Sequence, residues 1–402
     1  MISRSLYMKR IEPFIGKNII KVLVGVRRSG KSTLLKLIKQ ELALRGVSEA
    51  NMLTVNFESS QFASLMDAEA LISYVSAHID PDRKQYLFFD EIQEVAGWEK
   101  ALRSFMVDFN VDMYVTGSNA RLLSSDLATY ITGRYVCVPV FPFSFAECRE
   151  AYGKLGEPID EKISFARFVD QGGFPFQVDL AFEREPTLQY LQDVFSTILL
   201  KDVVQKNEFR DADQLERIVR YVLQEIGHSF SAKSISDYLK SERRSVSIDT
   251  VYSYLRAAEE ACLIYRVSRE DAVGKRTLKF NEKYYVVDQG LRQAIGNRNS
   301  EAIDQVLENI VYMELKRRGY DITIGKVGEL EIDFIARREG ELEYYQVTYL
   351  LADDRVRDRE FRALEGIRDN YPKYVLSLDD FPVSRNGVQG LNVVSWLLGE
   401  GA

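Results

Sequence analysis

At 402 residues, with 46% apolar and 28% charged residues, the chain is long enough for two or three domains that each bury a core of their own. Its formal net charge of −7 excludes a whole-surface attraction to nucleic acid, so any such contact has to be local. Three widely spaced cysteines, Cys137, Cys148 and Cys262, lack metal-ligand spacing, and no apolar run approaches the ~18 residues that span a bilayer. The opening Met1-Ile2-Ser3-Arg4-Ser5-Leu6-Tyr7 has no apolar leader core, so a cytoplasmic protein with reduced thiols and no membrane partner is expected.

The first predicted element is a buried strand, Ile19 to Val24, rich in β-branched residues. Gly25-Val26-Arg27-Arg28-Ser29-Gly30-Lys31-Ser32 follows and completes the pattern G-x-x-x-x-G-K-[ST]; from Thr33 to Ile38 apolar residues recur at helical spacing. Strand, glycine loop and helix in that order make a phosphate site. Two glycines let successive N–H groups face one anion, the helix N-terminus adds partial positive charge, and Lys31 reaches the β- and γ-phosphates. Gly25 to Thr33 are therefore the ATP-binding candidates, with Ser32 a ligand for Mg²⁺.

Tyr86-Leu87-Phe88-Phe89-Asp90-Glu91 reads as a second buried parallel strand, delivering two acids to the carboxyl edge of a sheet. Asp90 is placed to hold the Mg²⁺ shell and Glu91 to polarise the attacking water; the alternative for both is capping of the next helix. Met113 to Asn119 is a third short strand ending in small polar residues, a sensor strand in which Asn119 would contact phosphate or water. Thr132-Gly133-Arg134 then leads into the β-rich Tyr135 to Val140. Arg134 is the candidate finger for a neighbouring subunit's nucleotide, against the ordinary reading of a surface arginine.

Past Tyr152 to Pro158, a loop candidate, three helices are expected: Gln214 to Ile226, Ser231 to Leu239, and a third from Ser247 to Arg256 capped by Ser247. Strands Leu263 to Val267 and Lys279 to Val287 flank Gly274-Lys275-Arg276, which would tip a wing. This order is that of a winged helix whose third helix exposes Thr250, Ser253 and Tyr254 to a major groove. Between residues 231 and 283, eleven Lys and Arg face eight acids, a difference of +3. Arg243, Arg244, Lys275 and Arg276 are the candidate DNA contacts; a protein-contact module is the alternative.

Beyond Gly296-Asn297-Arg298-Asn299-Ser300, a second candidate joint, come an amphipathic helix at Leu307 to Leu315 and strands at Leu330 to Ala336 and Glu343 to Thr348. Helix acid Glu308, strand acid Asp333 and Gln346 with Thr348 form the layout of a PD-(D/E)xK nuclease. Gln346 replaces the third carboxylate and Thr348 the lysine, so a catalytically inert remnant is expected. Acids on ordinary solvent faces are the alternative.

Together Gly25 to Ser32, Phe88-Phe89-Asp90-Glu91, Thr116-Gly117-Ser118-Asn119 and Gln171-Gly172-Gly173-Phe174-Pro175 resemble the bacterial and archaeal AAA+ superfamily ATPases that carry a C-terminal domain of obscure role. The resemblance covers nearly the whole chain and implies an α/β architecture: a P-loop AAA+ core with a parallel sheet, then a helical lid and winged helix, then a restriction-endonuclease-like domain. The corresponding domains are residues 1–150 (core), 151–210 (lid and connector), 211–295 (winged helix) and 296–402 (nuclease-like). Gly172-Gly173 then falls in the lid, although the lid arginine usual in that family is not identifiable here. An ATPase that remodels or translocates DNA, assembling as a nucleotide-dependent homo-oligomer, is expected; the alternative is a nucleotide-controlled switch acting on a protein partner.

Overall fold

The computed structural model describes residues 2–120, 131, 133–156, 160–241, 246–271 and 277–400. These form two compact units, the first running to Phe141 and taking in Glu260–Cys262, the second holding the remainder.

The first unit is built on a parallel sheet of β1 (Ile20–Val24), β2 (Met52–Asn56), β3 (Gln85–Asp90), β4 (Val111–Gly117) and β5 (Tyr135–Pro139), in the order β2-β3-β4-β1-β5. Every residue of β1 and β4 is buried, as expected where helices cover both faces of a parallel sheet. Leu34, Leu35 and Ile38 from the helix Lys31–Leu44 meet Tyr7 and Ile11 from the helix Ser5–Ile11 around Phe88 and Tyr114, whose rings stack at 5.0 Å. The chain leaves β1 for the far edge at β2, returns through β3 to β4, and places β5 on the other side of β1. Strand order therefore reverses at β1, the position at which open α/β sheets bind ligands at their carboxyl edge. Val24 lies opposite Gly117 and Phe89 opposite Val115, so the ends of β1, β3 and β4 come out at one level.

In the second unit β6 (Ser229–Phe230), β7 (Ile264–Asp271), β8 (Thr277–Val286), β9 (Asp321–Val327), β10 (Leu330–Arg338), β11 (Glu341–Val347), β12 (Lys373–Ser377) and β13 (Gln389–Asn392) form one sheet in the order β13-β12-β11-β10-β9-β7-β8-β6. Helices Ala212–Gln224, Ala232–Ser241 and Ile248–Glu260 precede the β7–β8 hairpin, and Ile303–Arg318 precedes β9. The joint expected at Gly296 to Ser300 does not interrupt this sheet, because β7 pairs with β9 across it, Arg269 opposite Ile324. Asn299 in that segment is buried: its amide donates to Val169 O (2.7 Å) and Gln289 O (2.9 Å) and its Oδ1 accepts from Arg292 (2.8 Å). At the earlier candidate loop the helix Phe145–Lys154 runs through Gly153, while Glu157 and Pro158 lie outside the described residues.

The Gly172-Gly173 motif has a definite structural task. The helix Glu161–Gln171 ends at Gly172, whose φ of +71° favours glycine and whose added Cβ would fall 1.8 Å from Asp288 Oδ1. Asp288 accepts the N–H of Gly173 (2.7 Å) and of Gly290 (2.8 Å), while Gly173 O receives the Phe143 N–H (2.7 Å). Burial pushes the Asp288 carboxyl up to about 7, against these N–H bonds and the Arg317 charge, which favour the ionised form.

A carboxyl raised in the folded chain contributes stability below its unfolded value near 3.8 and loses it as pH rises through about 7. Asp288→Asn removes that contribution, so the slope of unfolding free energy against pH between those values, from urea titrations, becomes more positive than in the parent. Gly172→Ala, which also clashes with Asp288, lowers stability by on the order of 3 kcal/mol at any pH.

Candidate functional site

The carboxyl edge of the first sheet gathers the loop after β1 and the acids after β3. Gly25 follows β1 where a Cβ would lie 2.0 Å from Val140 O, so only glycine fits between the loop and the chain leaving β5. Arg28 (φ 68°) and Gly30 (φ 97°) are both left-handed, the curled geometry in which consecutive N–H groups converge on one anion. Gly30 starts the helix Lys31–Leu44. The Ser29 hydroxyl is fully buried in this loop and has no hydrogen-bond partner, an orphan that a phosphate oxygen would satisfy. Lys31 is buried with its ammonium on Gly25 O (3.0 Å) and Val26 O (3.1 Å), 3.7 Å from Glu91 Oε1. Arg27 pairs with Glu58 at 2.9 Å; Arg28, Ser32 and Thr33 are exposed along the start of the helix.

Asp90 ends β3 and is hydrogen-bonded by the side chains of Thr116 (2.5 Å) and Ser32. Burial raises the Asp90 carboxyl above its usual range, opposed by those two hydrogen bonds. Glu91 turns out of the strand with φ 57° and ψ 50°, a left-handed conformation costing a non-glycine residue ~1–2 kcal/mol. Its N–H donates to Thr116 Oγ1 at 2.9 Å, so one buried hydroxyl on β4 serves both acidic residues, donating to Asp90 and accepting from Glu91. The Gln93 amide donates to Glu91 Oε2 at 2.6 Å. Neither Thr116 as a bridge nor Gln93 is apparent from the motif alone; a threonine next to the last residue of the strand, three residues before the sensor Asn119, is the faint signal for the first.

Lys31, Ser32, Asp90, Glu91 and Thr116 are thus brought together. Asn119 is buried two residues past β4. Arg134 is not brought to its own P-loop: it is exposed at the amino end of β5, where its carbonyl accepts the Ile20 N–H, a strand's length of roughly 16 Å from the loop.

The second unit holds another charged cluster. Glu308 and Asp333 are both buried, and Lys283 of β8 lies 2.8 Å from both Glu308 Oε1 and Glu331 Oε1. The Tyr285 hydroxyl donates to Glu308 (2.5 Å), Arg269 pairs with Glu331, and Asp333 Oδ2 accepts the Val347 N–H (2.8 Å) while its own N–H reaches Gln346 Oε1 at 3.4 Å. Burial and then the Glu308 charge hold the Asp333 carboxyl well above its usual range, against Lys283. Burial alone would lower Lys283, but Glu308, Asp333 and Glu331 together keep its ammonium above the usual value. Among the described residues no three His, Cys, Asp or Glu side chains are disposed to hold a metal ion.

Lys283 is therefore an internal partner and adds nothing to a basic surface, contrary to its place in the sequence tally. Arg266 is likewise spent on Glu259 and Glu282. Tyr254, expected on the exposed face of the third helix, is buried against Phe209 with ring centroids 4.7 Å apart; Tyr252 is the exposed tyrosine, because the helix turns its 251-254-255-258 stripe inward. Arg243, Arg244, Lys275 and Arg276 lie outside the described residues.

Residues 17–149 match the family model of an AAA domain, and residues 163–302 that of a domain of unknown function. Over 401 residues, 99% of each chain, the sequence is 36% identical to an uncharacterized protein of Haemophilus influenzae. The chain belongs to the same family as that protein. It is also 27% identical, over 88% of its length, to an uncharacterized protein of Methanocaldococcus jannaschii. A Walker-type ATPase of Pyrococcus abyssi shares the fold with a TM-score of 0.52 at 16% identity, covering 73% of this chain and 96% of that one. The chain is thus a family member with an α/β AAA domain on a parallel sheet. No helix among the described residues is long and apolar enough to cross a membrane.

Thr116→Val keeps the shape of the side chain but leaves the Glu91 N–H and Asp90 without their shared partner. Loss of about 2 kcal/mol in urea unfolding is expected, with Thr116→Ser close to the parent.

Proposed function

We propose that the protein binds ATP with Mg²⁺ and hydrolyses its terminal phosphoanhydride bond at the carboxyl edge of the first sheet. The carrying observation is the meeting of Lys31, Ser32, Asp90 and Glu91 around one buried threonine hydroxyl. Backbone N–H groups from Gly25 to Thr33 hold the phosphates, and Lys31 moves its ammonium from loop carbonyls to the β- and γ-oxygens. Ser32 and Asp90 would hold Mg²⁺, which when bound neutralises charge on the bridging phosphate oxygens. Glu91 accepts the proton of the attacking water, and Asn119 contacts the γ-phosphate or that water. Arg134, exposed and remote from its own P-loop, is a finger offered to a neighbouring copy in a nucleotide-dependent homo-oligomer.

We further propose that hydrolysis acts on DNA through a winged helix at 211–295. The order helix, β6, helix, helix, β7, β8 supports this, with β6 pairing back onto β8, Ser229 opposite Lys283. The helix Ile303–Arg318 followed by antiparallel β9-β10-β11, the helix Asp354–Glu365 and β12 parallel to β11 supports a nuclease-like fold at 296–402. Its lysine-paired, buried carboxylates make it a binding module without cleavage. The boundaries 1–150 and 151–210 for core and lid complete this assignment. A second reading, a nucleotide-controlled switch on a protein partner, is favoured by three apolar residues exposed on the winged-helix helices, Tyr238 (43%), Ile248 (43%) and Tyr252 (46%).

Steady-state ATPase rates with and without single-stranded, linear duplex and four-way-junction DNA decide between them. Stimulation by one DNA form supports the motor, and an unchanged rate the switch. Lys31→Ala is expected to lose nucleotide binding, whereas Glu91→Gln binds ATP and turns it over about 100-fold more slowly or worse. Normal turnover in Glu91→Gln would refute the assignment of the base. With Mg²⁺ present, no nicking of supercoiled DNA is expected.

A further inference from the structure

We infer that the helix Asp354–Glu365 is a track for the DNA phosphate backbone, its solvent face offering Arg355, Arg359 and Arg362 to neighbouring phosphates of one strand. The inference rests on the proposed action on DNA and gives it a contact surface apart from the winged helix.

The apolar face of the helix decides which side chains meet water. Phe361, Ala363 and Leu364 are buried in one cluster with Ile332, Ile335, Tyr344 and Val375. At about 100° per residue, Arg355, Arg359 and Arg362 fall within an arc of roughly 60° on the side of the helix opposite that cluster. All three are exposed. A rise of about 1.5 Å per residue spreads them over roughly 10 Å, so a single backbone lying along the helix meets all three.

From Asp353 to Arg368 five acids accompany five arginines, so the stripe is positive only because the acids are engaged elsewhere. Asp353 caps the helix, accepting the N–H groups of Arg355 and Val356 at 2.9 Å each. Asp354 pairs with Arg357 at 3.0 Å, and Arg385 takes both Asp358 and Glu365, the latter at 2.8 Å. Glu360 is buried and accepts the Arg359 Nε–H at 2.8 Å, which fixes that guanidinium while its side chain stays 69% exposed. Among the described residues no ion pair ties Arg355 or Arg362 to an acid. The choice of cation matters too, because the segment holds no lysine. A face that only had to be hydrated would be served by lysine equally well, whereas the planar guanidinium grips phosphate oxygens in pairs.

The test uses the full chain and a fluorescently labelled duplex, with binding followed by anisotropy over a salt series. Each lost phosphate contact removes about 0.9 from the slope of log K against log salt. Arg355→Gln, Arg359→Gln and Arg362→Gln combined are therefore expected to flatten that slope by about 2.7 and to weaken binding at ~50 mM salt about tenfold or more. Arg355→Lys, Arg359→Lys and Arg362→Lys combined keep the charge and are expected to keep the slope to within about one contact. ATP turnover without DNA stays at the parent rate in both variants. Parent affinity and slope in the glutamine variant would overturn the track and leave the winged helix standing as the DNA contact. No duplex binding by the parent chain would overturn the DNA reading together with this one. Loss of binding in both variants, each with a lowered urea midpoint, would also overturn it, since the arginines would then act on folding.

Discussion

Every contact at the carboxyl edge of the first sheet presupposes that β1 and β4 meet in one register, and a buried ion pair at the other end of those strands supplies the constraint. Lys21 on β1 and Asp112 on β4 are both fully buried and pair directly; the second Asp112 oxygen accepts the Gly16 N–H at 2.7 Å and the Tyr114 hydroxyl at 2.9 Å. Burial lowers the Lys21 ammonium below its usual value in spite of Asp112, which shows how much the site disfavours a charge. Such a pair adds little net stability over an apolar pair of the same size, but its loss on one side costs about 3–5 kcal/mol. Slipping β1 by one residue would turn Lys21 to the opposite face, where the buried Ile20, Val22 and Val24 now point, and leave the ammonium without Asp112. The register that satisfies Lys21 also sets Val24 against Gly117, and therefore the glycine loop beside Thr116.

Given that register, β4 becomes the organiser of the site although it contributes no acid. It lies between the P-loop strand and the strand that ends in Asp90, so a side chain near its carboxyl end, that of Thr116, reaches the acids. A hydroxyl can donate to the Asp90 carboxylate and accept from the Glu91 amide at the same time, whereas valine, of the same shape, can do neither. Threonine also suits the strand by its branched Cβ.

The legible part of this protein is the part in which sequence neighbours are also chemical neighbours. The loop from Gly25 to Ser32 writes its glycines, lysine and serine contiguously, and the acids after Phe89 stand at the end of an unmistakably apolar run. The three helices before β7 are legible by their stripes, with ends within a few residues of those observed, yet the phase that decides between Tyr252 and Tyr254 depends on what Phe209 packs against. Contacts between distant segments leave no local mark. The Gly172–Asp288 clasp joins residues more than a hundred apart, and Lys283 reads as one more basic residue until Glu308 and Glu331 arrive from later elements. Likewise β9, β12 and β13 owe their existence to the partners that complete their hydrogen bonding, which short segments do not announce.

The two charged clusters differ in a way that bears on what each can do. In the second unit the charges are matched internally: Lys283 and Arg269 meet Glu308 and Glu331, Tyr285 adds its hydroxyl, and Gly227 presses close to the remaining Glu308 oxygen, where a Cβ would stand 3.1 Å away. A carboxylate already holding a lysine gains little from exchanging it for another cation, and the exchange would leave a buried ammonium unpaired. In the first unit the balance is left open. Lys31 rests on two neutral carbonyls as much as on Glu91, Ser29 keeps a buried hydroxyl without a partner, and Glu91 is held in a backbone conformation that strand geometry alone does not favour. An anion entering there satisfies groups that the chain leaves unmet, whereas in the Lys283 cluster Glu308 and Glu331 already hold the cations within reach. That difference, more than the resemblance of either motif to a known pattern, supports the proposal that the chemistry of this protein belongs to its P-loop.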